Sequence, residues 1–275
     1  MTISVLISVY ESEKPEYLEE ALYSIWDKQI HKPNEIVLIQ DGPISDDLKI
    51  VLNNWRTRLG SQLKFIENKE NLGLTKSLNK GLKVASGNYI ARMDSDDISL
   101  ASRFQMQKDY LDRHPDVSII GGALQEFDSE HDCLAVRHYP INNEEVLNYV
   151  YKASPLAHPT VMMRKNIFDN GLSYNEEYRT SQDIALWFDV LSRGYKIANL
   201  EEVVIKFRRD KDIFNRRSKQ KAKNELKIYI NGIRQIYGLF TWKYIYPIAR
   251  YCFRMMPISV VKYFYDSNLR KKLLH

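Results

Sequence analysis

The sequence predicts an α/β protein whose amino-terminal half has a Rossmann-like, nucleotide-binding layout. Three observations carry this. Ile3–Val9 is a nearly continuous β-branched run, the pattern of a parallel strand buried on both faces. Apolar runs and amphipathic stretches then alternate as strand and helix over about the first 95 residues. Tyr89–Met93 is another short apolar run, and it ends in Asp94-Ser95-Asp96-Asp97, three carboxylates within four residues. Asp is a poor strand former, so the strand stops there and delivers these side chains to a loop at its carboxyl edge. Ligands bind at that edge in open α/β sheets. Neighbouring carboxylates repel one another unless a cation lies among them, and their oxygens suit Mg²⁺ or Mn²⁺. Alone, such a run reads as a solvated acidic turn; the strand before it and the helix-like residues 100–113 after it favour a site.

In chain order, Pro15 opens the first helix, with Leu18, Ala21, Leu22, Ile25 and Trp26 on one face. Residues 35–40 form a second buried strand that stops at Asp41-Gly42-Pro43, where Asp41 suits either a ligand hydrogen bond or ordinary turn chemistry. Residues 48–59 are helical and 63–67 a third strand. Leu74, Leu78, Leu82 and Ala85 give an amphipathic helix preceded by Gly73, and Lys76 in its first turn is a candidate phosphate contact. Ser86-Gly87-Asn88 ends that helix.

Beyond the carboxylates, residues 117–121 read as a strand, 122–140 as irregular or hairpin, and 143–151 as helix. Pro155 to Pro159 is a loop carrying His158, a candidate ligand contact, and leads into a strand over 160–164. Ser181 is a candidate cap for a helix whose apolar face is Ile184, Trp187, Phe188 and Leu191, with Asp183 in its first turn. Residues 203–208 form the last strand, followed by basic runs at Arg208-Arg209-Asp210-Lys211 and Arg216-Arg217-Ser218-Lys219.

A chain of 275 residues can bury a sizeable core, and its composition is that of a globular protein. Cys133 and Cys252 have no metal-ligand spacing, which predicts two free thiols in a reducing compartment. Met1-Thr2-Ile3-Ser4-Val5 leads straight into a strand, with no export signal, and no apolar stretch is long enough to span a membrane. The expectation is therefore a cytoplasmic protein. Charge is uneven: residues 206–275 carry 18 Lys/Arg and 4 Asp/Glu, a net of +14, against −9 for residues 1–205. A basic, aromatic tail on an acidic body points to an anionic partner.

Several landmarks together resemble a known family. They are Val5-Leu6-Ile7-Ser8-Val9-Tyr10, Gln40-Asp41-Gly42, Asn71-Leu72-Gly73, Asn79-Lys80-Gly81 and Ala91-Arg92-Met93-Asp94-Ser95-Asp96-Asp97. His158-Pro159-Thr160-Val161-Met162 and Gln182-Asp183 before Trp187 follow. Each is weak alone; in this order and spacing they resemble a family 2 glycosyltransferase of GT-A fold, the type that builds capsule, exopolysaccharide and O-antigen repeat units in bacteria. The resemblance covers residues 1–210, with a nucleotide-sugar half over about 1–100, an acceptor half over about 101–210, and a helical basic and aromatic extension over 211–275. It implies a mixed, mainly parallel central sheet.

The resemblance also implies roles. Ser8, Val9, Tyr10 and Glu11 close the first strand over the nucleotide, and Asp41 contacts the base. Asp94 and Ser95 lie by the ribose and diphosphate, Asp96 is the principal ligand of Mn²⁺ or Mg²⁺, and Asp97 supports the site or touches the donor sugar. Asp183 matches the catalytic base, Trp187 shapes the acceptor side, and Lys76, His158 and Gln182 complete the substrate-binding set. Two departures stand out: Gln182 replaces the usual Glu, and Leu78 stands where an arginine is often found, which shifts the diphosphate to Lys76, the metal or the Arg208–Arg217 segment.

The implied reaction is inverting transfer of a hexose, first guess from UDP-galactose, to a sugar hydroxyl on an undecaprenyl-diphosphate-linked precursor. The tail suits the anionic inner-membrane surface, where aromatic rings sit at headgroup level, or else packs on the domain. Nucleic acid is not an expected partner, because no reader motif is present. A nucleotidyltransferase is an alternative, but Tyr10-Glu11-Ser12-Glu13-Lys14 is no phosphate loop; an inactive nucleotide-sugar binder is another, resting on Gln182 alone.

Overall fold

The computed structural model describes residues 1–209 and 219–256. The first half alternates as β1 (Ile3–Val9), α1 (Pro15–Trp26), β2 (Glu35–Asp41), α2 (Asp46–Leu59), β3 (Leu63–Asn68), α3 (Leu74–Val84) and β4 (Tyr89–Met93). Then come β5 (Ile98–Ser99), α4 (Arg103–Arg113), β6 (Val117–Phe127), β7 (Ala135–Arg137), α5 (Asn143–Tyr149), β8 (Met162–Arg164) and α6 (Asn166–Asp169). The chain closes with α7 (Gln182–Ser192), β9 (Lys196–Arg208), α8 (Lys219–Tyr237) and α9 (Ile245–Met255).

Among the described residues the strands form one sheet in the order β3-β2-β1-β4-β8-β6-β9-β5, with β7 paired to β6. β1, β2, β3 and β4 are mutually parallel, and β8 runs antiparallel between β4 and β6. The sheet is thus mixed, and parallel from β3 through β4, as predicted. Strand alternation sends Val5, Ile7, Ile36 and Leu38 into one apolar cluster with α1, α2 and α4. Leu6, Val37 and Ile39 point the other way, into a second cluster with α3, α7 and α8. Two buried faces explain why these strands read as unbroken apolar runs.

The amino edge of the sheet is pinned by Glu35. It accepts from Ser4 Oγ at 2.6 Å, Ser86 N at 2.7 Å and Ser86 Oγ at 2.8 Å, and pairs with Lys64 at 2.8 Å. Burial alone raises its pKa, but the hydrogen bonds from Lys64, Ser4 and Ser86 outweigh burial and hold it down at about 2. A lowered carboxyl pKa contributes stability above the ordinary value and loses it as pH falls toward the folded one. Glu35→Gln should therefore destabilise the protein by about 2 kcal/mol at neutral pH. In urea unfolding the gap from wild type should close progressively below the ordinary value of 4.5, toward pH 2.

Four expectations are corrected. The helix expected from Leu100 begins at Arg103, because Ile98 and Ser99 pair with Lys206 and Ile205 of β9. β6 continues past Gly121 to Phe127 and forms the hairpin with β7; its Glu126 is buried and paired with Arg137 and Arg209. β9 begins at Lys196 rather than Val203, with register shifts against Gly122 and Ala123 that hid it from a periodicity reading. His158–Thr160 is a 3₁₀ turn, which delays the strand to Met162.

α8 packs directly on α7. A Cβ added at Gly232 would stand 2.1 Å from the Phe188 ring, so this glycine lets the two helices touch. Ile228, Tyr229 and Ile233 of α8 lie in the second apolar cluster, and Tyr229 meets Phe188 edge-on at 5.5 Å. Tyr151, Tyr237, Trp242 and Tyr246 gather beyond it. No helix among the described residues is long and apolar enough to cross a membrane. The basic residues from Lys211 to Ser218, and the tail beyond Met256, lie outside the described residues.

Candidate active site

The carboxyl ends of β1, β2 and β4 converge on a cavity of about 490 Å³, within the size range of small-molecule sites. Ser8, Tyr10, Asp41, Asp94, Ser95 and Asp96, all candidates from the sequence, line it. Glu13, Lys14, Tyr17, Asn71, Gly73, Leu74 and Phe207 line it too.

One wall is built around Asp41. Its carboxylate accepts from Leu72 N and Gly73 N, both at 2.9 Å, and from Asn68 Nδ2 at 3.0 Å. Gly73 has φ +87°, a conformation that glycine adopts without strain, and it begins α3. Asp41 thus fixes the Asn71-Leu72-Gly73 loop while its residue still faces the cavity.

The opposite wall is acidic. One carboxylate oxygen from each of Asp94, Asp96 and Asp97 lies within 4.8 Å of the others. Burial, then Asp94 and Glu13, pushes Asp96 up to about 7. Burial, then Asp94 and Asp96, pushes Asp97 well above the ordinary carboxyl value. Asp97 is fully buried; its Oδ1 accepts from Arg208 N at 2.8 Å, while its Oδ2 has no partner among the described residues. Crowded hard-oxygen donors and an orphaned buried carboxylate oxygen fit a divalent cation. Asp94, Asp96 and Asp97 are the residues that can hold one. Ser95 Oγ donates to Glu13, which folds the loop after β1 against this wall.

Behind the acidic loop lie two buried arginines to which the sequence reading gave no role. Arg92 ion-pairs with Asp94, yet its Nε and one terminal nitrogen lack partners among the described residues. Arg103 donates to the Arg92 carbonyl oxygen at 2.7 Å. The available signal was an arginine inside the otherwise apolar β4, since a buried charge calls for partners. Arg208 was missed as a structural part: Nε donates to Asp96 O at 2.8 Å, a terminal nitrogen meets Glu20 at 2.5 Å, and the guanidinium stacks on Tyr17 at 3.9 Å. Of the three alternatives for holding the diphosphate, the segment from Arg208 thus begins with a side chain whose Nε and one terminal nitrogen are engaged by protein groups.

Asp183 lies in the first turn of α7 and is not part of the cavity's lining. Thr75 Oγ1 donates to Tyr178 O at 2.7 Å, which ties the approach to α7 onto the first turn of α3. Burial raises the Asp183 pKa, and Arg92 pulls against this. Arg92 and Tyr174 each interact electrostatically with both Asp94 and Asp183, so the two carboxylates flank one buried hub. Ser181 does not cap the helix: it has φ +60° and no side-chain cap bond, the only non-glycine residue with positive φ among those described. A left-handed serine costs on the order of 1 kcal/mol, a strain typical of functional turns.

Other candidates stand apart from the cavity. Val9 is buried, and Glu11 and Lys76 are exposed away from the lining. His158 is buried, with Nε2 and the Tyr174 hydroxyl 2.8 Å apart, and burial holds its pKa well below the ordinary value. Gln182 is buried, and Trp187 has no exposed surface at all. Neither His158 nor Trp187 is in the cavity's lining, and their rings, 6.1 Å apart, pack together in the interior.

Comparison with known proteins supplies the remaining findings. A family model described as "Glycosyl transferase family 2" matches residues 4–172. Amylovoran biosynthesis glycosyltransferase AmsE of Erwinia amylovora is 36% identical over 266 residues, covering 96% of this chain and 98% of that protein. The UDP-Gal:alpha-D-GlcNAc-diphosphoundecaprenol beta-1,3-galactosyltransferase of Escherichia coli is 32% identical over 272 residues, covering 98% and 97%. Among solved structures, S. aureus TarS 1-349 in complex with UDP-GlcNAc superposes with a TM-score of 0.68 at 20% identity, covering 92% of this chain and 72% of that one. This chain spans 43% of the longer TarS chain. At that identity the likeness establishes the fold.

Proposed function

The chain belongs to glycosyl transferase family 2, and on that premise we propose that it transfers a hexose, with inversion, from UDP-galactose to a hydroxyl of an undecaprenyl-diphosphate-linked saccharide. That it is a transferase of GT-A fold follows from the family match and the fold likeness. The donor and acceptor are proposals. They are supported by the E. coli relative, whose name specifies UDP-Gal and a diphosphoundecaprenol-linked GlcNAc. Residues 1–210 are taken as the transferase body and 211–275 as its extension, and the enzyme works peripherally at the cytoplasmic face of the inner membrane, where its lipid-linked acceptor lies.

One observation carries the reading: of three crowded carboxylates at the end of β4, Asp94 and Asp96 line a cavity of nucleotide-sugar size and Asp97 is buried behind them, while Arg92 interacts electrostatically with both Asp94 and Asp183. Asp94, Asp96 and Asp97 would hold Mn²⁺ or Mg²⁺, Asp96 as principal ligand. When bound, the cation supplies positive charge next to the diphosphate leaving group. Ser8, Tyr10 and the wall held by Asp41 embrace the nucleotide, and Lys14 at the cavity rim is a cationic neighbour for phosphate. Asp183 accepts the proton of the acceptor hydroxyl as that oxygen attacks the anomeric carbon from the face opposite the leaving group. A raised pKa makes the Asp183 carboxylate a stronger base than an exposed one. Because a sugar hydroxyl is far less acidic than a carboxylic acid, proton transfer accompanies bond formation.

A panel of nucleotide sugars tests the donor assignment by thermal stabilisation with and without Mn²⁺. The expected result is metal-dependent stabilisation by UDP-sugars, largest for UDP-galactose. Stabilisation by GDP- or dTDP-sugars alone would overturn the donor proposal.

A further inference from the structure

The helix α9 carries its polarity inside out. Arg250, partly buried, and Arg254 both pair with the buried Glu225 of α8, Arg250 at 3.1 Å. Pro247 is buried, and Arg250 stacks on Tyr229 at 4.9 Å. The outward face holds Ile245, Ile248, Ala249, Cys252, Phe253 and Met256, spaced as one helical stripe, and all are exposed. Ile245 is 62% and Ile248 47% exposed. The connection from α8 adds Leu239 and Phe240, whose ring is fully in solvent, and Trp242 at 63%. A helix of a soluble body normally turns these two faces the other way.

We propose that this stripe, with the Phe240–Trp242 tip, is a docking surface for an anionic phospholipid bilayer. The inference rests on the lipid-linked acceptor proposed above and names the face through which the enzyme meets that lipid's membrane. Charge selects the occupant. Residues 219–256 hold eight Lys/Arg and one Asp/Glu. That single acid, Glu225, is buried and satisfied by two arginines, so the segment that carries the stripe has an excess of basic side chains. Two copies pairing through this face would bring like charges together, whereas acidic headgroups complement them. Apolar and aromatic side chains on a basic segment match the interface of such a bilayer, where chains of this composition lie flat. α8 stays with the transferase body through Gly232 and Phe188, so docking needs no change at the α7–α8 contact.

The test uses the full chain and vesicles of phosphatidylcholine with or without phosphatidylglycerol. Trp242 is a built-in probe, because Trp26, Trp55 and Trp187 are buried. Wild type should sediment with the phosphatidylglycerol vesicles and its Trp emission should shift to the blue; plain phosphatidylcholine should give neither. The double variant Phe240→Ser, Ile248→Asp should bind those vesicles more weakly by roughly tenfold or more. Its thermal unfolding should be unchanged. The proposal is overturned if wild type ignores phosphatidylglycerol vesicles, as would happen were another part of the chain to cover the stripe. It is equally overturned if the variant binds as wild type does, or if the two substitutions convert a dimer to a monomer on a sizing column. Transfer to a short-chain, water-soluble acceptor separates this inference from the proposed function. The variant should retain it, and absence of transfer by wild type from every nucleotide sugar would count against the function and leave the docking result standing.

Discussion

Replacing Asp183 with Asn should lower kcat by about 10²–10⁴-fold while leaving donor binding as it is in wild type. The amide has the shape of the carboxyl and can still accept the backbone bond from Ile184, so α7 keeps its first turn. What it cannot do is take a proton at neutral pH. Stability moves the other way. Burial raises the Asp183 pKa above its unfolded value, so the ionised group costs folding free energy once pH exceeds that ordinary range. Removing the charge should therefore leave the melting temperature unchanged or raise it, the pattern of a residue retained for activity at some expense of stability. A fall in melting temperature together with near-normal turnover would remove Asp183 from the reaction and make it a packing residue.

The second large effect is expected from Asp96→Ala. Asp96 faces the cavity, and its pKa of about 7 reflects burial first, then the charges of Asp94 and Glu13. Its loss relieves that repulsion, so the metal-free protein should unfold no earlier than wild type. The shift in melting temperature that Mn²⁺ produces in wild type should vanish, and donor binding should no longer respond to the ion. Turnover should drop on the order of 10³-fold, the scale for losing preorganised charge at a leaving group. A variant that keeps its Mn²⁺ response would transfer the ligand role to Asp94 and Asp97.

The first half of the molecule was legible because its strands are buried on both faces and so appear as unbroken apolar runs. The helices between them show their apolar stripes, and Gly73 marks the start of α3. The acidic loop was legible for the same reason: three Asp residues cannot continue a strand. The second half hid more. β6 carries Gly121, Gly122 and the buried Glu126, and only tertiary pairing with Arg137 and Arg209 makes that carboxylate tolerable inside a strand. Trp187 was placed on the apolar face of its helix from the sequence, but its packing against His158, on a distant loop, was not visible there.

Electrostatic design was the least visible. No local pattern says that Arg92 is shared between Asp94 and Asp183, or that Arg208 closes on the backbone of the acidic loop. Nor could amphipathy alone reveal which face of α9 turns outward, because that depends on where Glu225 is buried. Hydrophobic periodicity reports burial; it does not report which charges a fold brings together.

Isothermal titration of the nucleotide-sugar donor, with and without Mn²⁺, into wild type, Asp96→Ala and Asp183→Asn tests the account most directly. It predicts Mn²⁺-dependent binding for wild type and Asp183→Asn alike, with no Mn²⁺ dependence in Asp96→Ala. Binding by Asp96→Ala with the full metal response of wild type would contradict it.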